Sequence, residues 1–380
     1  MGDVGSMSKA ADLANLIGNI NAGGGSSNRN IFQNGAMNVS QRSTSETGIG
    51  SGAVDTFKTL DRVGIAHGNT DGRLTMTQTA DGPSGFANCL KLACTTADTS
   101  IAAGEYLQLK FKFEGQDLQT IKKGTSDAVP LTVSFYVKGN GNATYMCELE
   151  DHDNSRNNQQ QFAVTSSWNR VILTFVADTT GAFDDDNALS LSIIFWLHAG
   201  STYTGGTYTA NTWTGSVSAA NRAAGISSFF SSTSNTFFLT GMQVEVGQNA
   251  TTFEHEPFDT TLVKCQRYFE NVASYGGSGT PTQSYWQGIL THQYTTTRMF
   301  GRFIYKVIKR ATPTVTVHNH EFAFASATDS RTLSNNPQNT YADISGVGLD
   351  FQNQGTNYTG GESGHVDLAG TCYITSDAEL

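Results

Sequence analysis

The chain has 380 residues, with 40 Gly, only 6 Pro, 22 Phe and 13 Tyr, and a formal net charge of -10. Charged residues make up 15% of it, well below the roughly 25% of ordinary soluble domains. No Lys/Arg-rich stripe supplies the basic footprint that nonspecific nucleic-acid binding needs, and no apolar run approaches the ~20 residues of a membrane-spanning helix, so neither nucleic acid nor membrane insertion is expected.

Few charges, frequent Gly and many Thr and aromatic residues favour β-sheet with turns. Chains that stay disordered lack such aromatics, so a folded protein is expected. The cysteines (Cys89, Cys94, Cys147, Cys265 and Cys372) are odd in number and form no CxxC pair, which reads as buried free thiols. The first residues show no basic n-region followed by an apolar core, so the expectation is a protein made in the cytosol.

Taken in order, residues 1–27 form an attachment segment. Ser8 can cap a short helix whose stripe is Leu13, Leu16, Ile17 and Ile20, and the run Gly23-Gly24-Gly25-Ser26-Ser27 follows as a flexible linker. So short a helix is marginal alone in water, so its stripe needs a surface to rest on. Copies of itself in an oligomer or a groove on another protein are the intermolecular choices. Folding back on its own domain is the other.

Residues 28–257 read as one large β module. Leu107, Leu109, Phe111 and Phe113 alternate with polar residues, as do Leu131, Val133, Phe135 and Val137. Gly139-Asn140-Gly141-Asn142 offers a tight hairpin turn, with Tyr145 to Leu149 as the returning strand. Val171 to Val176 and Leu191 to Leu197 are more continuously apolar, as expected of central strands. This spacing suggests a two-sheet sandwich of the jelly-roll kind. Residues 200–235 interrupt it with Gly, Ser, Thr, Ala and Asn, among which stand Tyr203, Tyr208, Trp213, Phe229 and Phe230. Long internal loops are usually functional or mobile. Tyr203, Tyr208 and Trp213 are the candidate glycan-stacking residues; packing onto the sandwich or a neighbouring subunit is the plainer alternative.

The module closes with a strand from Phe238 to Val246 that alternates strictly and stops at Gly247. Pro257 follows, then a short helical signal in 258–273, with Asp259 as N-cap and Leu262, Cys265, Gln266 and Phe269 at helical spacing. Residues 274–380 read as a second, smaller β domain, with strands at Ile289 to Tyr294, Arg302 to Lys309, Thr314 to His318 and Phe322 to Ala325. Arg302, Lys306, Lys309 and Arg310 make its one mildly basic patch, read as a solvated face, with an anionic glycan contact as the alternative.

Several of these stretches resemble a known kind of protein. Thr240-Gly241-Met242-Gln243-Val244-Glu245-Val246-Gly247, Thr251 to Pro257 (TTFEHEP) and Cys265-Gln266-Arg267-Tyr268-Phe269-Glu270 closely resemble a segment of bacteriophage tail-fibre and related virion proteins. Asn28 to Ile31, Asn34 to Val39 and Gln41-Arg42 are similar to the opening of the same module, and Thr371 to Leu380 to the way such chains end. Asp61-Arg62 departs from the pattern, being followed by Val63-Gly64 where an aromatic is usual. The resemblance implies a jelly-roll module similar to carbohydrate-binding ones, a homotrimer, and a place in the virion. It also implies attachment through the N-terminus to tail-adaptor or nozzle subunits.

Candidate chemistry is sparse. Asp151-His152-Asp153-Asn154-Ser155 starts like a calcium loop but has Arg156 at the sixth position and Phe162 at the twelfth, where Gly and Glu are needed. Asp184, Asp185 and Asp186 are the densest carboxylates and the candidate site for a structural calcium, with a solvated turn as the plainer reading. No other cofactor is expected. Glu254-His255-Glu256 lies in an extended segment, where neighbours point opposite ways and cannot face each other across a pocket. His318 and His320 share a strand face without a third ligand.

The expectation is therefore an all-β chain with an N-terminal helix, a large jelly-roll β-sandwich, a short connecting helix and a smaller C-terminal β-sandwich. Its function would be that of a phage tail fibre holding host-surface glycan by multivalent contacts. A capsid-decorating protein or head fibre is the alternative within the virion. A glycan-cleaving enzyme, which needs two carboxylates across a groove, is the distant one; no catalytic residue is nominated and the chain is not expected to be an enzyme.

Overall fold

The computed structural model describes residues 9–21, 28–215, 218–274, 289–319, 322–325, 330–333, 337, 339–352, 363–368 and 372–380. They divide into two compact units, one of residues 1–261 with Leu380 and one of Leu262–Glu379.

The first unit starts with helix α1 (Lys9–Asn21). Its strands follow: β1 (Ser45–Ile49), β2 (Ala53–Phe57), β3 (Gly64–Gly68), β4 (Arg73–Thr79), β5 (Cys89–Thr96), β6 (Tyr106–Glu114), β7 (Leu131–Gly139), β8 (Ala143–Asp151), β9 (Arg156–Val164), β10 (Asn169–Phe175), β11 (Leu189–Ala199), β12 (Thr214–Gly215) and β13 (Thr236–Val246). A one-turn helix α2 (Ser201–Thr204) follows β11. A six-stranded sheet runs β1-β4-β5-β13-β7-β10, and a seven-stranded one runs β12-β9-β8-β11-β6-β3-β2. All pairings are antiparallel. The chain passes from one sheet to the other at β1–β2, β3–β4, β5–β6, β6–β7, β7–β8, β9–β10, β10–β11 and β12–β13, which is the jelly-roll sandwich. The alternation explains why. Leu107, Leu109, Phe111 and Phe113 of β6 meet Val133, Phe135 and Val137 of β7 in one core, with Phe135 and Phe195 rings 4.7 Å apart.

Two local expectations fail. Gly139–Asn142 is not a hairpin turn: β7 lies in the six-stranded sheet and β8 in the seven-stranded one, so the link is an arch between layers. None of its residues has positive φ, which a tight Asn-Gly turn requires. The hairpin partner of β8 is β9, turned through residues 152–155 with Ser155 at φ 52°. β10 is not central but an edge strand beyond β7, which leaves Ile172 48% exposed.

Residues 28–35, 240–247 and 251–257 form the seam of the sandwich. The Glu254 carboxylate accepts backbone N–H groups of Asn28, Arg29 and Asn30 at 3.0, 2.7 and 3.0 Å. Asn30 bonds the backbone of Met242 and Val244. Gln243 accepts the Glu254 N–H at 2.7 Å, and Glu245 accepts the N–H and hydroxyl of Thr251. Gly35 lies so close that a Cβ there would be 2.1 Å from the Met242 carbonyl oxygen. Gly241, at φ +62°, sits in the irregularity between Thr240 and Gln243 where β13 slips its register on β7. Glu254 is thus a structural clasp.

Helix α3 (Phe258–Gln266) carries the division between the units; it is shorter than the expected 258–273, with Asp259 inside its first turn and not at the N-cap, and Phe269 opens a strand instead of continuing the helix. The second unit holds β14 (Phe269–Ser274), β15 (Ile289–Thr295), β16 (Arg298–Ile304), β17 (Thr314–His318), β18 (Phe322–Ala325), β19 (Ser330–Thr332), β20 (Asn339–Ala342), β21 (Gly346–Phe351), β22 (Ser363–Leu368) and β23 (Tyr373–Asp377). Among the described residues its sheets run β14-β23-β17 and β19-β18-β22-β15-β16-β21-β20. They share a core that includes Met299, Phe322, Val347, Leu349, Val366 and Ile374. The expected basic patch does not exist as one surface. Lys309 is buried and bonds Glu270 at 2.6 Å, Arg302 pairs with Asp343, and Arg310 donates to the Ala378 carbonyl. An isolated lysine could not be buried this way; the paired carboxylate makes it possible.

Candidate functional site: the outer face of the seven-stranded sheet

Residues that point inward from β6, β8 and β11 make the core, so their alternates line the opposite face. These are Gln108, Lys110 and Lys112 on β6, Ser192, Ile194 and Trp196 on β11, and Met146, Glu148 and Glu150 on β8. Over one end of this face lies the segment that follows β11. It is a fitted wall: Gln161 bonds the Ala224 carbonyl, Asn211 N–H donates to the Gln159 carbonyl, and Ala223 packs with Met146, Ile194 and Trp196.

Glu148 fastens that wall. Fully buried, it accepts Trp196 Nε1 at 2.6 Å, Asn157 Nδ2 at 2.7 Å and Arg222 Nε at 2.8 Å. Arg222 also reaches Glu150 at 2.8 Å and lies over the Trp196 ring at 5.4 Å. Burial works against the Arg222 charge, and the two carboxylates outweigh it. Beside this fastening opens a cavity of ≈ 430 Å³ lined by Glu150, Asp151, His152, Ser155, Arg156, Asn157 and Arg222. His152 bonds the Ser192 hydroxyl at 2.9 Å. Burial lowers its pKa from the usual value, against the opposing pull of Glu150, so it is neutral at neutral pH. The lining offers donors and acceptors side by side, suited to hydroxyl-rich ligands, and no Phe, Tyr or Trp ring.

The residues singled out in the sequence fall as follows. Tyr203 and Tyr208 pack in the cluster around Trp196 beneath the wall. Trp213 packs on the main core, donating to the Val176 carbonyl at 2.8 Å with Lys123 over its ring. The structure does not bring the three together, and all are half-buried. Asp184, Asp185 and Asp186 are exposed in a turn where the Asp186 carboxylate accepts the Ala188 N–H at 2.8 Å, and among the described residues they do not converge on one point. Asp151 is accounted for by Lys123, 2.6 Å away, and by the Asn154 N–H it accepts. On α1, Leu13 and Ile17 are exposed and Leu16 half-buried, while Gly18 lies against Asn249. The helix backbone extends past Ile20. His318 stacks on Tyr373 and bonds Thr375; His320 lies outside the described residues. All five cysteines are buried and none forms a disulfide. Sequence reading missed Glu148, Arg222 and Glu150. Their signal was the outward phase of the alternation in β8, where two carboxylates repeat at i and i+2.

No family model matches the chain, and no curated protein does. Among solved structures it is similar to one described as "CBM4 structure and function", at 12% identity and TM-score 0.29, covering 57% of this chain and 99% of that one. A second is a family 11 carbohydrate-binding module from Clostridium thermocellum in complex with a β-1,3-1,4-mixed-linked tetrasaccharide, at 13% identity and TM-score 0.26, covering 54% and 99%. A third is the enzymatically active domain of bacteriophage CBA120 tailspike protein 4, at 12% identity and TM-score 0.29, covering 57% of this chain and 21% of that one. At these TM-scores the likeness carries no argument about ligand or role.

Proposed function

We propose that the chain is a structural protein of a phage virion, a tail fibre that attaches to host-surface glycan and is anchored through its N-terminus. The resemblance of the seam segments to virion proteins supports the place. The observation that carries the glycan reading is the polar cavity beside the Glu148 fastening, whose arginine, asparagine, histidine and carboxylate groups match the mixed donor and acceptor character of sugar hydroxyls. No Phe, Tyr or Trp ring lines it, so each contact is weak, and several copies on one particle supply the avidity. The exposed Leu13 and Ile17 of α1 suit a bundle of three chains or a virion subunit.

An antibody against the chain, applied to particles and viewed by electron microscopy, tests the place. Label on the tail supports a fibre. Label on the shell replaces it with the decorating alternative, and no label removes both. Glycan binding is tested on the full chain with Glu150→Ala and His152→Ala, two lining residues outside the core. Loss of binding in both supports the reading, and unchanged binding refutes it.

A further inference from the structure

Away from the cavity, three chemistry-bearing side chains meet that no sequence motif joined. Asp98 stands just beyond β5, Glu105 just before β6, and His198 near the end of β11, where it pairs with Leu107 of β6. All three are buried, at 4%, 5% and 0% exposure, and one ligand atom from each lies within 4.8 Å of the others. Among the described residues this is the one group of three such side chains.

Two of their atoms lack partners. His198 Nε2 and Glu105 Oε2 are both buried without a hydrogen bond, 3.6 Å apart. The other ring nitrogen, Nδ1, is 2.8 Å from the Ser228 hydroxyl. With Nδ1–H donating there, Nε2 keeps its lone pair and aims it at the carboxylates. That is the arrangement of a metal-bound histidine, whose second nitrogen is held by an outer partner. Asp98 is itself oriented, accepting the Thr70 hydroxyl and the N–H groups of Asp71 and Ser100. Without a cation, burial and the neighbouring Asp98 push the Glu105 carboxyl up.

We propose that Asp98, Glu105 and His198 bind one divalent transition-metal ion of the zinc type. One imidazole nitrogen and two carboxylate oxygens, with a water as fourth ligand, make a mixed set that suits zinc better than calcium, which takes six to eight oxygens. Zinc ligands at about 2.0–2.2 Å stand about 3.4 Å apart in a tetrahedron, close to the 3.6 Å between His198 Nε2 and Glu105 Oε2. The ion joins the β5–β6 connection to β11. Through Ser228 it also steadies the segment that returns from the wall to β13, where Phe230 packs edge-on against His198.

The test uses the full chain, freed of metal with a chelator and dialysed. Zinc is titrated calorimetrically, and cobalt(II) is added as a visible-absorbing substitute. The expected result is one equivalent per chain, a tetrahedral cobalt spectrum, and a Tm rise of about 5–10 °C with zinc at a hundredfold excess over Kd. Glu105→Gln keeps the shape and a hydrogen bond to Asp98 but removes the charged ligand, so it folds and loses uptake at least a hundredfold. His198→Gln serves if that variant fails to fold. No Tm shift and no tetrahedral cobalt spectrum in the wild type would overturn the proposal by itself. So would equal uptake by wild type and variant, and in either case the trio is a proton-sharing carboxyl pair beside a neutral histidine.

Discussion

Replacing Glu148 by alanine tests the account of the wall. The carboxylate is fully buried and accepts three donors: Trp196 Nε1, Asn157 Nδ2 and Arg222 Nε. Hydrogen bonds to a charged group contribute roughly 1.5–3 kcal/mol each. Breaking one side of a buried ion pair costs about 3–5 kcal/mol, because the other charge is stranded. Here the stranded cation keeps Glu150 as a partner, and its side chain is 22% exposed, so water can reach it. The cost therefore falls at the low end, about 3 kcal/mol. With a urea slope of about 3 kcal/mol/M, the unfolding midpoint should drop by about 1 M. Tryptophan fluorescence reports it, since Trp168, Trp196 and Trp213 all lie in the first unit. Arg222→Ala completes a double-mutant cycle, with an expected coupling above about 1 kcal/mol. A midpoint shift under about 0.2 M, or additive single effects, would refute the idea that Glu148 fastens the wall.

Other outcomes follow from the same structure. Gly35→Ala drives a Cβ into the Met242 carbonyl and should destabilise the first unit by about 1–3 kcal/mol, measured by the same urea unfolding; a neutral result would mean the seam is loose. Asp178 is buried; burial would raise its pKa, but Arg156, the Thr180 N–H and Lys123 outweigh it, and the folded value lies below 3.8. Its contribution is therefore present above pH 3.8 and lost as pH falls through the lower folded value. Asp178→Asn should flatten the acid limb of stability, and an unchanged limb would contradict the pairing. In the double variant Leu13→Asp with Ile17→Asp, light scattering should show a trimer reduced to monomer. A trimer that persists would place the assembly contacts in the β units.

Much of the fold was legible because inward and outward residues differ in kind. β6 and β7 each show the period of two, and one face of each is core; in β13 the inward set changes phase at the Gly241 bulge, from Phe237 and Leu239 to Met242, Val244 and Val246. The sequence did not reveal which strands are neighbours. Gly139–Asn142 has the composition of a hairpin, yet serves as an arch, because β7 finds its partners in β10 and β13 and these lie far along the chain. The edge position of β10 was hidden for the same reason. The 200–235 loop stands out for its aromatics, but its sequence does not show that Tyr203 and Tyr208 lie against one cluster and Trp213 against another. The charges that hold that loop sit on β8 and read locally as solvated residues; only the loop folding over them makes Glu148 a buried anchor. Lys309 is hidden in the same way: it lies in the loop beyond β16, not on the expected strand, and its partner Glu270 sits far back along the chain on β14.

The most direct measurement is binding of the full-length chain to a panel of bacterial surface polysaccharides, with Glu150→Ala and His152→Ala beside it. At least one polysaccharide should be bound by the wild type. Each substitution should weaken binding about tenfold or more while the urea midpoint stays within about 0.3 M. His152 is neutral in the folded chain, so affinity should be flat above pH 6.5, with Glu150, Lys110, Lys112, Arg222 and the Ser192 hydroxyl facing the ring throughout. No polysaccharide bound, or variants that bind as tightly as the wild type, would contradict the claim that the outer face of the seven-stranded sheet is a glycan site.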